Sequence, residues 1–304
     1  MKGSNAGRIV MADSIEVWGK GSLVQHGQMN NRVYLMKLHK EDFPGIIEGV
    51  SRLAVEHGYT KIFCKVPGWA APRFISDGFI TEAYIPGFYN QKETAFFVSK
   101  FLSSDRQLGI EHEDLLNLSQ LLKGKENGRD KRSLGKAYLI KELGPGYAEE
   151  ISSLYRQVFE TYPFAIDQPE YIRETMQDRI TYFGVEYKGK LVALSSAEVD
   201  REASNAEMTD FATLPACRGN NFSLFLLSAM EEIMASRGIK TFYTIARLAS
   251  GPMNRSFLKM GYTYGGTLIK NTNISGSIES MNVWYKSSGK VKYARTENHL
   301  IKGL

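Results

Sequence analysis

The chain is poor in cysteine, with two in 304 residues, Cys64 and Cys217, 153 positions apart. With no Cys-x-x-Cys pair and no histidine cluster near either, they exclude a disulfide framework and a cysteine-based zinc site, and fit a reducing compartment. Histidine is equally sparse. His26, His39, His57, His112 and His299 fall at no ligand spacing, so no metal is expected. No segment approaches the roughly 18 consecutive apolar residues of a membrane span. Met1 to Trp18 carry Asp13 and Glu16 where a secretory signal would be apolar, so a soluble cytoplasmic protein is expected. What remains is ordinary globular composition, 43% hydrophobic and 23% charged, which excludes disorder, collagen and coiled coil. The length favours two packed units over one.

The net charge of +5 sits almost wholly in one place. Lys123 to Lys136 (KGKENGRDKRSLGK) holds six basic residues against two acids, with three glycines and one apolar residue. A charge run without periodicity reads as a solvated linker, so nucleic acid is not an expected partner. The boundary falls near residue 130, giving an N-terminal unit over 1–130 and a second over 131–290, with a polar tail after Ser287.

In the second unit, Ala137 to Leu143, Ile180 to Glu186, Leu191 to Val199 and Glu207 to Leu214 read as strands, with a hairpin turn at 188–190 (KGK). Phe222, Phe225, Leu226, Ala229, Met230, Ile233 and Met234 recur at helical spacing and are closed by Gly238, which predicts a helix packed on the sheet. A strand over Thr241 to Ala246, a short helix over Pro252 to Met260, and strands over Tyr264 to Lys270 and Ser280 to Lys286 complete the unit. The first unit echoes it. Residues 57–79 (HGYTKIFCKVPGWAAPRFISDGF) parallel 237–262 (RGIKTFYTIARLASGPMNRSFLKMGY), and Val33 to Leu38 with a helix through Ile46, Ile47, Val50, Leu53 and Ala54 stands before them. The pattern reads as a duplication.

Residues 206–238 carry the chemistry: a strand, a tight loop beginning at Arg218-Gly219, and the strongest helix. Backbone amides converging on a helix N-terminus bind phosphate through those amides and the helix dipole, and Arg218 adds a fixed positive charge. The loop resembles the pyrophosphate loop of the GNAT N-acetyltransferases, Arg/Gln-x-x-Gly-x-Gly/Ala, in Arg218-Gly219-Asn220-Asn221-Phe222-Ser223. Asn221 replaces the usual Gly and Ser223 the usual Gly or Ala. Asn tolerates left-handed backbone well, and Ser is small. The resemblance implies an α/β (α+β) fold: a mixed, mostly antiparallel sheet flanked by helices, preceded here by a degenerate GNAT-like N-terminal domain.

Over the whole chain, including YLMKL (34–38), DGFITEAYIPGFYN (77–90), TYPFAID (161–167), TDFATLP (209–215) and MNRSFLKMGY (253–262), the sequence resembles the β-lysine N-acetyltransferases. That implies acetyl-CoA as donor, the terminal amine of β-lysine as acceptor, and Nε-acetyl-β-lysine, a compatible solute, as product. Other acceptors in view are a polyamine, an aminoglycoside or a protein N-terminus. A catalytically inactive acyl-CoA-sensing module, and a homodimer, are also in view.

An amine of pKa near 10.4 needs a base. The resemblance puts Glu207, at the start of the strand before the loop, in that role. Asp210 is the alternative, on the opposite face by strand alternation unless a bulge intervenes. Strand amides at Phe211, Ala212 and Thr213 are the expected oxyanion and cofactor contacts. Arg218, Gly219, Asn220, Asn221, Phe222 and Ser223 are expected to hold the pyrophosphate, with Asn254 and Ser256 touching the pantetheine or adenosine end. The family's usual acid, a Tyr on the short helix, is Phe257 here, leaving Tyr243, Tyr262 or a water. Cys217, with no His nearby in sequence, is expected to be inert, so transfer is direct. In the first unit, Glu41 and Asp42 stand in the corresponding loop, where they should cap the helix and repel a pyrophosphate. That unit is expected to wall the acceptor site, with Glu82, Tyr84, Tyr89, Tyr162 and Phe164 as candidate substrate contacts.

Overall fold

The computed structural model describes residues 13–124, 134–160, 162, 164–274 and 276–289. Most of the expected linker, the boundary near residue 130 and most of the polar tail lie outside them. The first half runs β1 (Ser14–Trp18), β2 (Ser22–Gly27), β3 (Arg32–Lys37), α1 (Ile46–Glu56), β4 (Lys61–Pro67), α2 (Ala71–Ser76), β5 (Ile80–Tyr89), β6 (Glu93–Phe101), α3 (Ser104–Leu108) and α4 (His112–Lys123). The second runs β7 (Tyr138–Leu143), α5 (Ala148–Val158), α6 (Pro169–Asp178), β8 (Ile180–Tyr187), β9 (Lys190–Asp200), β10 (Asn205–Thr213), α7 (Phe222–Ser236), β11 (Thr241–Arg247), α8 (Gly251–Lys259), β12 (Thr263–Ile274) and β13 (Ser277–Ser287).

All the strands join one 13-stranded sheet in the order β1-β2-β3-β4-β6-β5-β12-β13-β11-β10-β9-β8-β7. Read inward from either side, the order repeats itself. Each half has one parallel pair, β3 with β4 and β10 with β11, and every other pairing is antiparallel. The halves meet at β5 and β12 through the pair Ala83 and Gly266. Gly266 has φ +139°, and a Cβ there would stand 2.2 Å from the Glu82 carbonyl oxygen, so only glycine permits this approach.

The sheet bends at this seam, so that β3 and β4 face β9 to β11. Asn90 at the β5–β6 turn donates its backbone N–H to Ala203 O (2.7 Å) and its side-chain amide to Glu202 O (2.7 Å), while Lys37 pairs with Glu202 at 3.0 Å. Tyr34, Phe63, Phe88 and Phe97 pack with Tyr243, Leu268 and Val283 in the core between the halves. Two further cores flank the second half of the sheet, one under α7 and α8 and one under α5 and α6.

α7 forms where its apolar spacing predicts, burying Phe222, Leu226, Leu227, Met230 and Met234 against Ala206 and Met208 of β10. Each such side chain contributes on the order of 2 kcal/mol. The 188–190 turn is a tight hairpin, with Lys188 and Gly189 both at positive φ. Two features differ from expectation. Asp42 does not cap α1: its carboxylate accepts from Lys20 N (2.7 Å), Ser22 N (3.2 Å) and Ser22 Oγ (2.6 Å), tying the loop to the β1–β2 turn. Glu82 is no substrate contact but part of the seam. It pairs with fully buried Lys61 at 2.7 Å and accepts Ile269 N at 2.7 Å.

Candidate active site

Between β10 and α7 the chain makes a short 3-10 turn over Pro215–Cys217 and then the loop 218–221. Gly219 has φ +84° and Asn221 is left-handed at φ +58°, ψ 26°, so Asn221 adopts the conformation that accounts for a Gly in related loops. Asn220 Nδ2 closes the loop on Cys217 O at 2.9 Å. The Phe222 side chain is buried against Tyr138, anchoring the helix start and leaving only its backbone for a ligand. Arg218, Gly219 and Asn220 are exposed around the start of α7, where Leu224 N and Phe225 N donate to Asn221 O at 3.0 and 3.4 Å. Ser223 Oγ lies 3.3 Å from Ser256 Oγ on α8, so these two expected contacts come together. Asn254 does not join them. It is 2% exposed, donates to Arg247 O (3.0 Å) and Ser250 O (2.9 Å), and accepts from Asn282 Nδ2 (2.9 Å) and Trp284 Nε1 (2.8 Å). Its side chain fixes the start of α8 and has nothing left for a cofactor.

β10 and β11 pair only from Asn205↔Thr241 to Glu207↔Tyr243, then diverge while both continue. Where they part, β10 bulges: between Thr209 and Ala212 it holds one residue more than β9 opposite, and Asp210 has φ +55°. Leu214 N donates to Val192 O at 3.0 Å, which makes 214 and 192 a hydrogen-bonded pair. By antiparallel alternation Ala212 opposite Leu194 is another, so its amide is turned to β9 and not into the gap. Thr213, between them, points its N–H to the open edge. Of the expected strand donors, Ala212 is thus turned to β9, and Thr213 N–H is the one that faces the open edge.

Glu207 is half-buried at the point of divergence, flanked in register by Glu198 and Tyr243 on the same face. Its pKa is pushed up to about 7, chiefly by burial and next by the Glu198 carboxylate, with Lys65 and the Tyr243 hydroxyl pulling the other way. Glu198 is held by Arg179 Nε at 3.2 Å. A cavity of about 720 Å³ opens here between the two halves, lined by Glu198 and Tyr243 on one side and Met36, Lys65, Phe88 and Tyr89 on the other. Tyr89 thus borders it. Tyr84, 48% exposed and packed on Phe96, does not.

Asp210 is on the same face as Glu207, contrary to simple alternation, because the bulge turns it. Its carboxylate accepts from Ser196 Oγ (2.5 Å), Tyr162 OH and Thr209 Oγ1 (3.3 Å). Burial raises its pKa above the ordinary carboxylate value even against those hydrogen bonds. Tyr162 is thus a partner of Asp210, and Phe164 packs in the core under α5 and α6. Phe257 is 1% exposed, set edge-on to Phe211 and Tyr262. Tyr262 lies in the core under α7 and α8, whereas Tyr243 reaches the cavity. Sequence reasoning missed Glu198 and Lys65, whose signal was only a charge within an apolar strand. Among the described residues no group of three His, Cys, Asp or Glu could hold a metal, and no helix is long and apolar enough to cross a membrane.

Residues 148–262 match the model of the acetyltransferase (GNAT) family. Over 270 residues, 88% of this chain and 96% of the relative, the sequence is 40% identical to a β-lysine N(6)-acetyltransferase of Methanococcus maripaludis. It is 31% identical to a β-lysine N(6)-acetyltransferase of Methanosarcina mazei over 227 residues, 68% of this chain and 83% of that one. It is 29% identical to the N-acetyltransferase YodP of Bacillus subtilis over 280 residues, 91% of this chain and 99% of that one.

Proposed function

Because the chain belongs to the β-lysine N(6)-acetyltransferase family, within the GNAT N-acetyltransferases, we propose that it transfers acetyl from acetyl-CoA to the terminal amine of β-lysine. The product, Nε-acetyl-β-lysine, would serve as a cytoplasmic compatible solute. The observation that carries this reading is Glu207, a carboxylate with pKa near 7 at the divergence of β10 and β11, between the phosphate loop and the cavity.

The residues fit a CoA donor. Left-handed Asn221, Gly219 at positive φ and the exposed α7 N-terminus leave room and amides for a pyrophosphate, with Arg218 beside them. The strand gap would take the pantetheine arm, and the Thr213 amide would supply a donor to the developing carbonyl charge. The bound donor supplies an activated thioester. Glu207 takes the proton from the acceptor ammonium, its acidity set first by burial and then by Glu198 and Lys65. The CoA sulfur, of ordinary thiol pKa near 8.5, would leave as the thiolate without a dedicated acid, which accommodates Phe257 at the usual tyrosine position.

The first half, over 1–130, acts as a degenerate GNAT-like domain that walls the acceptor cavity and binds no CoA. Asp42 fills the loop where a phosphate would otherwise approach. The test is CoA release from acetyl-CoA with β-lysine, α-lysine or a polyamine as acceptor. Release with β-lysine supports the reading. Release only with another amine keeps the acetyltransferase and removes the osmolyte role.

A further inference from the structure

Lys65 projects from β4 into the cavity, and its charge is felt by Glu207 without a direct ion pair. Among the described residues no carboxylate lies within ion-pairing distance of it. Its Nζ stands over the rings of Phe88 (5.4 Å) and Tyr243 (5.9 Å). Elsewhere around the cavity Lys37 is matched by Glu202 at 3.0 Å and Arg179 by Glu198 at 3.2 Å, while Lys40, Glu93, Asp200 and Arg201 also line it. A half-buried ammonium backed by two aromatic faces and open to a cavity of about 720 Å³ is arranged to receive an anion from that cavity. On the other side Glu198 lines the cavity, and Glu207 is its register partner on β10. The duplication sharpens the contrast. In the alignment of residues 57–79 with 237–262, the counterpart of Lys65 is Ile245, so the charge belongs to this half alone.

We propose that Lys65 binds the carboxylate of the acceptor, so that the enzyme selects an amino acid over a diamine of the same chain. The inference rests on the acetyltransferase reading above and deepens it. An acceptor with a carboxylate at one end and an amine at the other would extend from Lys65 across the cavity toward Glu198 and its register partner Glu207. Cation and base come from different halves of the fold, which gives the first half a direct part in specificity.

The experiment compares kcat/KM for β-lysine and for 1,4-diaminopentane, its decarboxylated analogue, in wild type, Lys65→Met and Lys65→Arg. Loss of a charge-assisted contact lowers the β-lysine to diamine ratio in Lys65→Met by about 10- to 150-fold, mostly through KM, and Lys65→Arg restores much of it. The ratio is internal to each sample, so partial misfolding or a changed Glu207 acidity cancels. A Lys65→Met ratio equal to that of wild type overturns the proposal while leaving the β-lysine reading intact. So does a wild-type enzyme that takes both acceptors equally. Should wild type ignore β-lysine but favour another amino acid over its own diamine, with that preference lost in Lys65→Met, the substrate reading falls and the role of Lys65 stands.

Discussion

Glu207→Gln separates chemistry from binding in one substitution. It keeps the size of the side chain and removes its basicity, so turnover should fall by about 10²- to 10⁴-fold while acetyl-CoA affinity, set at the α7 loop, changes less than about twofold. In wild type, log kcat/KM should rise with pH and bend near 7, where Glu207 loses its proton, and the variant should lack that bend. Stability gives an independent reading. The folded-state pKa, about 7, lies above the ordinary 4.5, so the folded protein holds a proton that the unfolded chain has released. Stability therefore falls as pH rises from 4.5 to 7, and the full penalty persists above 7. At about 1.4 kcal/mol per pH unit the ceiling is about 3 kcal/mol, and partial solvent access brings the expected value to about 1–2 kcal/mol. Glu207→Gln should accordingly melt higher than wild type at pH 8 and together with it at pH 4.5. Isothermal calorimetry with acetyl-CoA, a stopped CoA-release assay and thermal melts at both pH values provide the readouts. Unchanged turnover refutes Glu207 as base, and an equal difference in melting temperature at both pH values refutes its raised pKa.

Six further substitutions probe the frame around it. Asn221→Gly, at φ +58°, should keep acetyl-CoA affinity within about twofold, whereas Asn221→Val should cost about 1–2 kcal/mol and weaken it, as read by melts and calorimetry. Asp210→Ala strips a shared acceptor from Ser196 and Tyr162 and should destabilise by about 1–3 kcal/mol in urea unfolding, with a smaller loss of turnover than Glu207→Gln. Lys61→Met leaves Glu82 buried and unpaired and should cost about 3–5 kcal/mol, while adding Glu82→Leu should restore much of that in the same assay. Gly266→Ala should drive its Cβ into the Glu82 carbonyl and give a protein that fails to fold or melts far lower, measured by circular dichroism.

Legibility in the sequence followed the range of the signal. α7 was visible because its apolar residues recur at helical spacing, and the phosphate loop because its chemistry is local in the chain. Even the Asn221 substitution was readable, since asparagine tolerates the conformation the loop requires. α6 escaped notice because it is polar, with Ile172 its only residue buried outright. β1 escaped because four of its five residues are exposed. The bulge at Asp210 carries no glycine to mark it, so alternation put that carboxylate on the wrong face. Lys65 and Glu198 each look like an ordinary charge in a strand. Their meaning comes from the bend at Gly266, which sets residues more than a hundred positions apart around one cavity, and no local pattern encodes a bend.

The repeated strand order makes that bend more than a way of closing a core. Matching the two parallel pairs places Tyr34 and Phe63 of the first half where Glu207 and Tyr243 stand in the second. The two faces do not turn away from each other. Tyr34 lies near enough to Glu207 for that carboxylate to push its phenol pKa up, alongside the larger effect of burial. A duplicated acetyltransferase sheet folded on itself would thus set two carboxylates face to face if both copies kept the base, and like charges at such a site would hold one of them protonated. Replacing one with tyrosine removes the conflict, keeps an aromatic wall, and leaves Lys65 as the cation of that wall. A tyrosine rather than a carboxylate at that place in the first half thus leaves Glu207 free of a facing like charge. Tyr34→Glu should accordingly move the bend in log kcat/KM to higher pH, and an unmoved bend would show that the two faces act independently.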